Sequence, residues 1–188
     1  MINLSPRSKP GWLHEVDTHQ VMLDVQKPKF ILMGDSIAKG LGRYPSVWRL
    51  FNSTLNLGIG GDRVEHVMWR LKKHVFPDSV RAVILLCGTN NINKDLQYYI
   101  ADFIVSCLNS FKFNFKLVVA SVLPREKYDG VYSQSAQLEN RELSLKCENY
   151  LDTDHGWDGE NRILNHDLFY KYYLHLSVKG CLMLSDQL

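Results

Sequence analysis

Residues 30–36 read Phe-Ile-Leu-Met-Gly-Asp-Ser: four apolar residues run unbroken into a glycine, an acid and a hydroxyl. The apolar run predicts a strand buried on both faces, as in a parallel sheet. The glycine lets the backbone turn and leaves Ser36 at the carboxyl end of the strand. Ligands of open α/β sheets gather outside that end, so Ser36 stands where a nucleophile is useful. The position equally suits a serine that caps the next helix, and the tripeptide alone does not choose. Two later stretches are built the same way. Gly58-Ile59-Gly60-Gly61-Asp62 follows a strand predicted at 54–57 and precedes Val64, Val67, Met68 and Leu71 at helical spacing. Glycines there permit positive φ and leave backbone N–H groups for an anion, or else make an ordinary tight turn. The spacing is neither Gly-x-Gly-x-x-Gly nor a P-loop ending in Lys-Ser/Thr. The clearest predicted strand, 81–87, ends in Gly88-Thr89-Asn90-Asn91. The Asn90 amide can donate to a developing negative charge or cap a turn.

These three turns need a frame. Further strands are predicted at 29–34, 116–122 and 149–151. Val47, Trp48, Leu50 and Phe51 suggest a short helix, and residues 39–42 a loop before it. A helix over 96–113 puts Ile100, Phe103, Ile104, Cys107, Leu108 and Phe111 on one face. Residues 132–147 are polar with scattered leucines and read as an exposed helix, and a last helix starts at Val178. Residues 1–27 show no clear periodicity. They are expected as an N-terminal extension, with Trp12, Leu13 and 21–23 against the edge of a domain spanning 28–188. Strands and helices alternate throughout, which makes this an α/β chain with right-handed crossovers.

At 188 residues the chain is long enough to bury a proper core in one domain. Its net charge of +2 gives no basic footprint for nucleic acid. Arg63, Arg70, Lys72, Lys73 and His74 fall together on one predicted helix and read as a solvated face. The four cysteines are far apart without a Cys-x-x-Cys pair, so free buried thiols in a reducing compartment are expected and a metal site is not. No apolar run spans a bilayer and residues 1–11 lack a signal-peptide core, which points to the cytoplasm.

The blocks holding Ser36, Gly61 and Asn90, followed by His175 in Leu174-His175-Leu176-Ser177, occur in the order of the SGNH (GDSL-type) hydrolases. The resemblance covers roughly 29–186. Asn56 to Asp62 and Leu123-Pro124-Arg125 resemble the platelet-activating-factor acetylhydrolase branch. Gly61-Asp62-Arg63-Val64-Glu65, with Leu168-Phe169-Tyr170-Lys171, resembles the esterase domain in the first open reading frame of LINE-type non-LTR retrotransposons.

The resemblance implies a flavodoxin-like three-layer α/β/α sandwich around a five-stranded parallel sheet, and a serine esterase that needs no cofactor and no metal. Ser36 attacks an ester carbonyl and His175 shuttles the proton. The oxyanion is met by the N–H of Ser36, the N–H of Gly61 and the Asn90 side chain. One position departs from the family: the carboxylate usually three residues before the histidine is Tyr172, and a phenol carries no charge near neutral pH. Asp167 is near in sequence, and Asp152, Asp154 or Asp158 are further substitutes. Two function classes follow: an esterase for short acyl esters of small molecules or lipids, or a weakly active or inactive lipid- or partner-binding module on the same fold. The pocket is expected to be shallow. Trp157 and the aromatics of 170–173 are expected on its rim, in weak contact with a membrane surface. Self-association stays open, and nucleic acid is not expected as a ligand.

Overall fold

In the computed structural model, residues 4–49, 51–92, 100–124, 134–157, 164–170 and 174–188 are described. Five parallel strands form one sheet in the order β2-β1-β3-β4-β5. They are β1 (Phe30–Gly34), β2 (Thr54–Gly58), β3 (Ala82–Leu86), β4 (Lys116–Ala120) and β5 (Tyr150–Leu151). Helices α1 (Trp12–Gln26), α2 (Ser36–Leu41), α3 (Pro45–Trp48), α4 (Val64–Lys73), α5 (Ile100–Ser110), α6 (Gln134–Lys146) and α7 (Val178–Gln187) cover its two faces.

The strand alternation divides the core. Ile31 and Met33 of β1, with Val83 and Leu85 of β3, pack under Leu23 of α1, Val67 and Leu71 of α4, and Ile104 of α5. Leu32 and Leu86 point the other way and pack under Leu41 of α2, Val47 of α3, and Cys181 and Leu184 of α7. The result is the expected three-layer sandwich around a five-stranded parallel sheet. The strands lie within a residue or two of where the sequence put them, β2 running on to Gly58 and the others slightly shorter.

Four readings of the sequence change. Residues 39–42 are not a loop, because α2 runs to Leu41; Ile37, Ala38 and Leu41 are buried beneath it and outweigh the propensity of Gly40. Helix α6 is not simply exposed: Ala136, Glu139, Asn140 and Leu143 form a buried stripe. The amide of Asn140 makes that burial tolerable, accepting from Val122 N–H at 2.7 Å and donating to Val122 C=O at 3.0 Å. The basic run on α4 is not one solvated face, since Arg70 is fully buried and His74 nearly so. Trp157 is no rim residue either. It is fully buried in the second core layer, meets Phe169 with the rings tilted at 5.6 Å, and donates its indole N–H to the Thr153 carbonyl at 2.7 Å.

The stretch 1–27 contains α1, which the sequence did not announce because its apolar residues are spread around the helix. Trp12, Val16 and Leu23 are buried on its inner side, while Leu13, Val21 and Val25 face solvent. Gln20 clips α1 to the end of α4 with a pair of bonds to Val75, one to its C=O at 2.9 Å and one from its N–H at 3.0 Å. His19 and His74 lie side by side beneath this clip, their rings 6.4 Å apart.

Candidate active site

The register of the sheet sets the site. Gly34 pairs with Gly58 on one side and with Leu86 on the other, so β1, β2 and β3 end level. Ser36, Gly61 and Asn90 follow those ends within a few residues and therefore emerge on one edge. Strand β1 lies between β2 and β3, so Ser36 sits at the point where strand order reverses, the usual ligand crevice of such sheets.

Gly34 is required by close approach: a Cβ there would run into the Leu86 carbonyl. Asp35, almost wholly buried, caps α2 by accepting from Ile37 N–H at 2.8 Å. That cap places Ser36 at the first position of α2, where the helix leaves its N–H unused. The Ser36 hydroxyl is half-buried and bonds to no other described residue.

Gly61 has φ +77°, and the Asp62 N–H donates to Ile59 C=O at 3.2 Å across the Gly60-Gly61 pair. A positive φ at the third residue of such a turn marks type II and calls for glycine. The Gly61 N–H has no partner among the described residues. Asn90 Nδ2 donates to the Asp62 carbonyl at 2.8 Å, which ties the loop after β3 to the glycine turn and leaves a second amide hydrogen to donate.

His175 arrives from a different direction. A one-turn 3-10 helix, His166–Leu168, precedes a small antiparallel turn whose base is the Phe169–Leu176 bridge. Tyr170 N–H donates to the His175 carbonyl at 2.7 Å, and Ser177 N–H to the Leu168 carbonyl at 2.9 Å. Helix α7 follows, capped by the Ser177 hydroxyl, and packs against α2 and α3. A phenol pair completes the join: the Tyr44 and Tyr170 hydroxyls are 2.5 Å apart. The His175 turn is thus fixed to the wall that follows Ser36. The structure records no hydrogen bond between the Ser36 hydroxyl and the His175 ring.

Burial and then the nearby Arg43 guanidinium hold the His175 ring below its ordinary pKa. Among the described residues no carboxylate bonds that ring. The Asp167 carboxylate meets Lys179 Nζ at 3.4 Å. Asp152 accepts from Ser121 and pairs with His155, and Asp154 accepts from Asn140 Nδ2. Tyr172 and Asp158 lie outside the described residues. Also among the described residues, no three His, Cys, Asp or Glu side chains are grouped to hold a metal. All four cysteines are free; Cys87, Cys107 and Cys181 are buried. Around Asp35 and Ile37, between the ends of β1, β3 and β4, the packing against Leu86, Cys87, Thr89, Ser121, Val122 and Leu123 leaves no space that a water molecule could enter.

Beneath the glycine turn lies a network that the sequence reading missed. Asp62 is fully buried and accepts from Trp12 Nε1 at 2.7 Å and from Arg70 Nε at 2.9 Å. The other two Arg70 nitrogens donate to Leu57 C=O at 2.6 Å and Gly34 C=O at 2.8 Å, the closing carbonyls of β2 and β1. One guanidinium therefore binds both strand ends and the glycine turn, which suits its planar fork. The signal was Arg70 standing three residues after Val67, on the apolar stripe of α4. Asn91 was also passed over: its side chain accepts from Val64 N–H at 2.9 Å and donates to Glu65 at 3.0 Å, capping α4 from another loop.

No family model matches the chain. It is 29% identical over 201 residues to the platelet-activating factor acetylhydrolase IB subunit alpha1 of Rattus norvegicus, covering 94% of this chain and 84% of that one. Against the alpha2 subunit of Bos taurus it is 30% identical over 181 residues, covering 90% and 78%. A GDSL-like lipase structure from Bacteroides thetaiotaomicron superposes with a TM-score of 0.72 at 20% identity over 93% of both chains, which shows the shared fold. On the identity and coverage of these relatives, the chain belongs to the family of the platelet-activating factor acetylhydrolase IB alpha subunits.

Proposed function

We propose that the protein is a serine esterase for short-chain, acetyl-type esters. The Ser36 hydroxyl attacks the ester carbonyl and passes its proton to His175. The oxyanion that forms is met by the N–H groups of Ser36 and Gly61 and by the free amide hydrogen of Asn90. His175 then returns the proton to the departing alkoxide, and water repeats the sequence on the acyl-enzyme. The observation that carries this reading is the level ending of β1, β2 and β3, which brings a free hydroxyl and unused N–H donors to one edge. The relatives are named as acetylhydrolases of platelet-activating factor, an ester of the same kind.

The test is hydrolysis of p-nitrophenyl acetate by the wild type and by Ser36→Ala. Wild-type turnover that Ser36→Ala abolishes is expected; equal background rates in both would overturn the reading. Such a result would favour the binding module, which His175 without a described carboxylate partner keeps in view.

Two finer readings belong with this one. The likeness of strings 61–65 and 168–171 supports reading the chain as the esterase domain of a retrotransposon's first reading frame, and a reverse transcriptase frame at the same locus is the expected companion. Its substrate is a small ester or lipid met in the cytoplasm, not nucleic acid. With Trp157 buried, weak membrane contact falls to Tyr170, which is half exposed. Co-flotation with liposomes at low salt, diminished in Tyr170→Ser, checks that contact.

A further inference from the structure

The peptide between Gly60 and Gly61 has a donor at one end and an acceptor at the other. A trans peptide is planar, so its C=O and N–H point in opposite directions. Whatever holds the Gly60 carbonyl therefore aims the Gly61 N–H. That carbonyl accepts from Arg7 Nη1 at 2.9 Å. The same nitrogen is 3.6 Å from Asp62 Oδ1, whose carboxyl group is fixed by Trp12 and Arg70. Both terminal nitrogens of Arg7 lie 3.0 Å from where a Cβ on Gly61 would stand, so the guanidinium fills the space a side chain would take.

The turn needs such a hold. Type I and type II turns differ by reversal of their central peptide, and here that peptide is flanked by two glycines, which tolerate either geometry. Reversal would replace the N–H facing the oxyanion with a carbonyl oxygen. A donor would become a repulsive acceptor with no other part of the site displaced.

We propose that Arg7 is a positioning residue: by gripping the Gly60 carbonyl it keeps the glycine turn in type II and the Gly61 N–H aimed at the oxyanion. This rests on the esterase reading for its consequence, though not for the geometry it describes. A residue ahead of α1, outside the sheet altogether, thereby sets the competence of the site.

The experiment compares the full chain with Arg7→Ala and Arg7→Lys. On p-nitrophenyl acetate, kcat of Arg7→Ala is expected to fall by about 10- to 100-fold with KM within about twofold, since full loss of one oxyanion donor costs roughly 10²–10³. Arg7→Lys, whose ammonium also donates to a carbonyl, restores most of kcat. The Gly61 amide resonance, sharp in the wild type and Arg7→Lys, broadens by microsecond-to-millisecond exchange in Arg7→Ala. An unchanged kcat overturns the proposal, as does a rise in KM alone, which would make Arg7 a substrate contact. An unchanged Gly61 resonance overturns it as well. If the wild type shows no Ser36-dependent turnover, the esterase reading fails by itself and the Gly61 resonance alone decides the role of Arg7.

Discussion

In the mechanism we propose, His175 is neutral when it accepts the Ser36 proton and cationic once it has done so. Burial and Arg43 both favour the neutral ring. This keeps the base available at lower pH but opposes the imidazolium that the reaction forms. The resemblance implies a carboxylate to meet that imidazolium, at the position held here by Tyr172. Asp167, the near substitute in sequence, is instead held against Lys179. The sign of a correction is therefore fixed. Tyr172→Asp supplies a charge that stabilises the cation, and Arg43→Gln removes one that opposes it. Both raise the pKa of His175, so both move the acid limb of the kcat/KM profile to higher pH while raising kcat on its plateau. In a serine protease the comparable Asp→Asn change lowers turnover by about 10⁴; an ester's better leaving group shrinks that, and a gain of about tenfold in Tyr172→Asp is expected. Steady-state kinetics on p-nitrophenyl acetate between pH 5 and 9 check both variants. A wild-type plateau equal to that of Tyr172→Asp would show that this hydrolysis runs without the acid. At this scale the sequence was informative wherever a residue's type determines its chemistry. Ser36, Gly61, Asn90 and His175 are proposed from their blocks, and the sheet register brings the first three to one edge. Arg7 could not be proposed that way, because nothing in a lone arginine of a proline-containing stretch says which carbonyl it will hold.

Among the elements, legibility followed the source of burial. Strands β1 and β3 are buried on both faces by apolar side chains alone, so an unbroken apolar run gave them away. Helix α6 buries Glu139 and Asn140, and α4 buries Arg70, so their inward faces look polar in sequence. Each is admitted by a specific partner, Val122 for Asn140 and Asp62 for Arg70. Such pairing is a tertiary fact that no periodicity encodes. The Arg70–Asp62 pair yields a prediction about elements. Arg70→Met fills the volume but leaves the Asp62 carboxylate buried with only Trp12 and the more distant Arg7, and removes one donor each from the Leu57 and Gly34 carbonyls. Breaking a buried pair in this way costs about 3–5 kcal/mol, a large share of a domain's stability. Urea unfolding should show the free energy of unfolding lowered by that amount, with the midpoint falling in proportion to it over m, and the double variant Arg70→Met/Asp62→Asn should recover part of it. A single variant within 1 kcal/mol of wild type would mean that the pair is not what joins β1, β2 and the glycine turn.

At the scale of the molecule, the open matter is whether residues 1–27 are an appendage or part of the fold. Trp12, Val16 and Leu23 are each at most 2% exposed, and Leu23 belongs to the same core layer as the strands. Full burial of such side chains is worth roughly 1.5–3 kcal/mol each. Trp12 Nε1 also donates to the Asp62 carboxylate, and a hydrogen bond to a charged group adds about 1.5–3 kcal/mol. Losing α1 thus removes stabilisation comparable to the roughly 5–15 kcal/mol that holds a whole domain together. Two truncations separate the structural part of the segment from the functional part. Deleting 1–9 removes Arg7 and the packing of Leu4 but keeps α1, so the chain should still melt cooperatively, a few degrees below wild type, while kcat falls as in Arg7→Ala. Deleting 1–27 removes α1 and uncovers Asp62 and Arg70, so the remaining chain should fail to melt cooperatively in calorimetry. A 28–188 fragment that melts cooperatively near the wild-type temperature would show that the sheet and its other helices are a complete folding unit, with α1 only resting on the surface. A 1–9 deletion with unchanged kcat would return the glycine turn to its own resources.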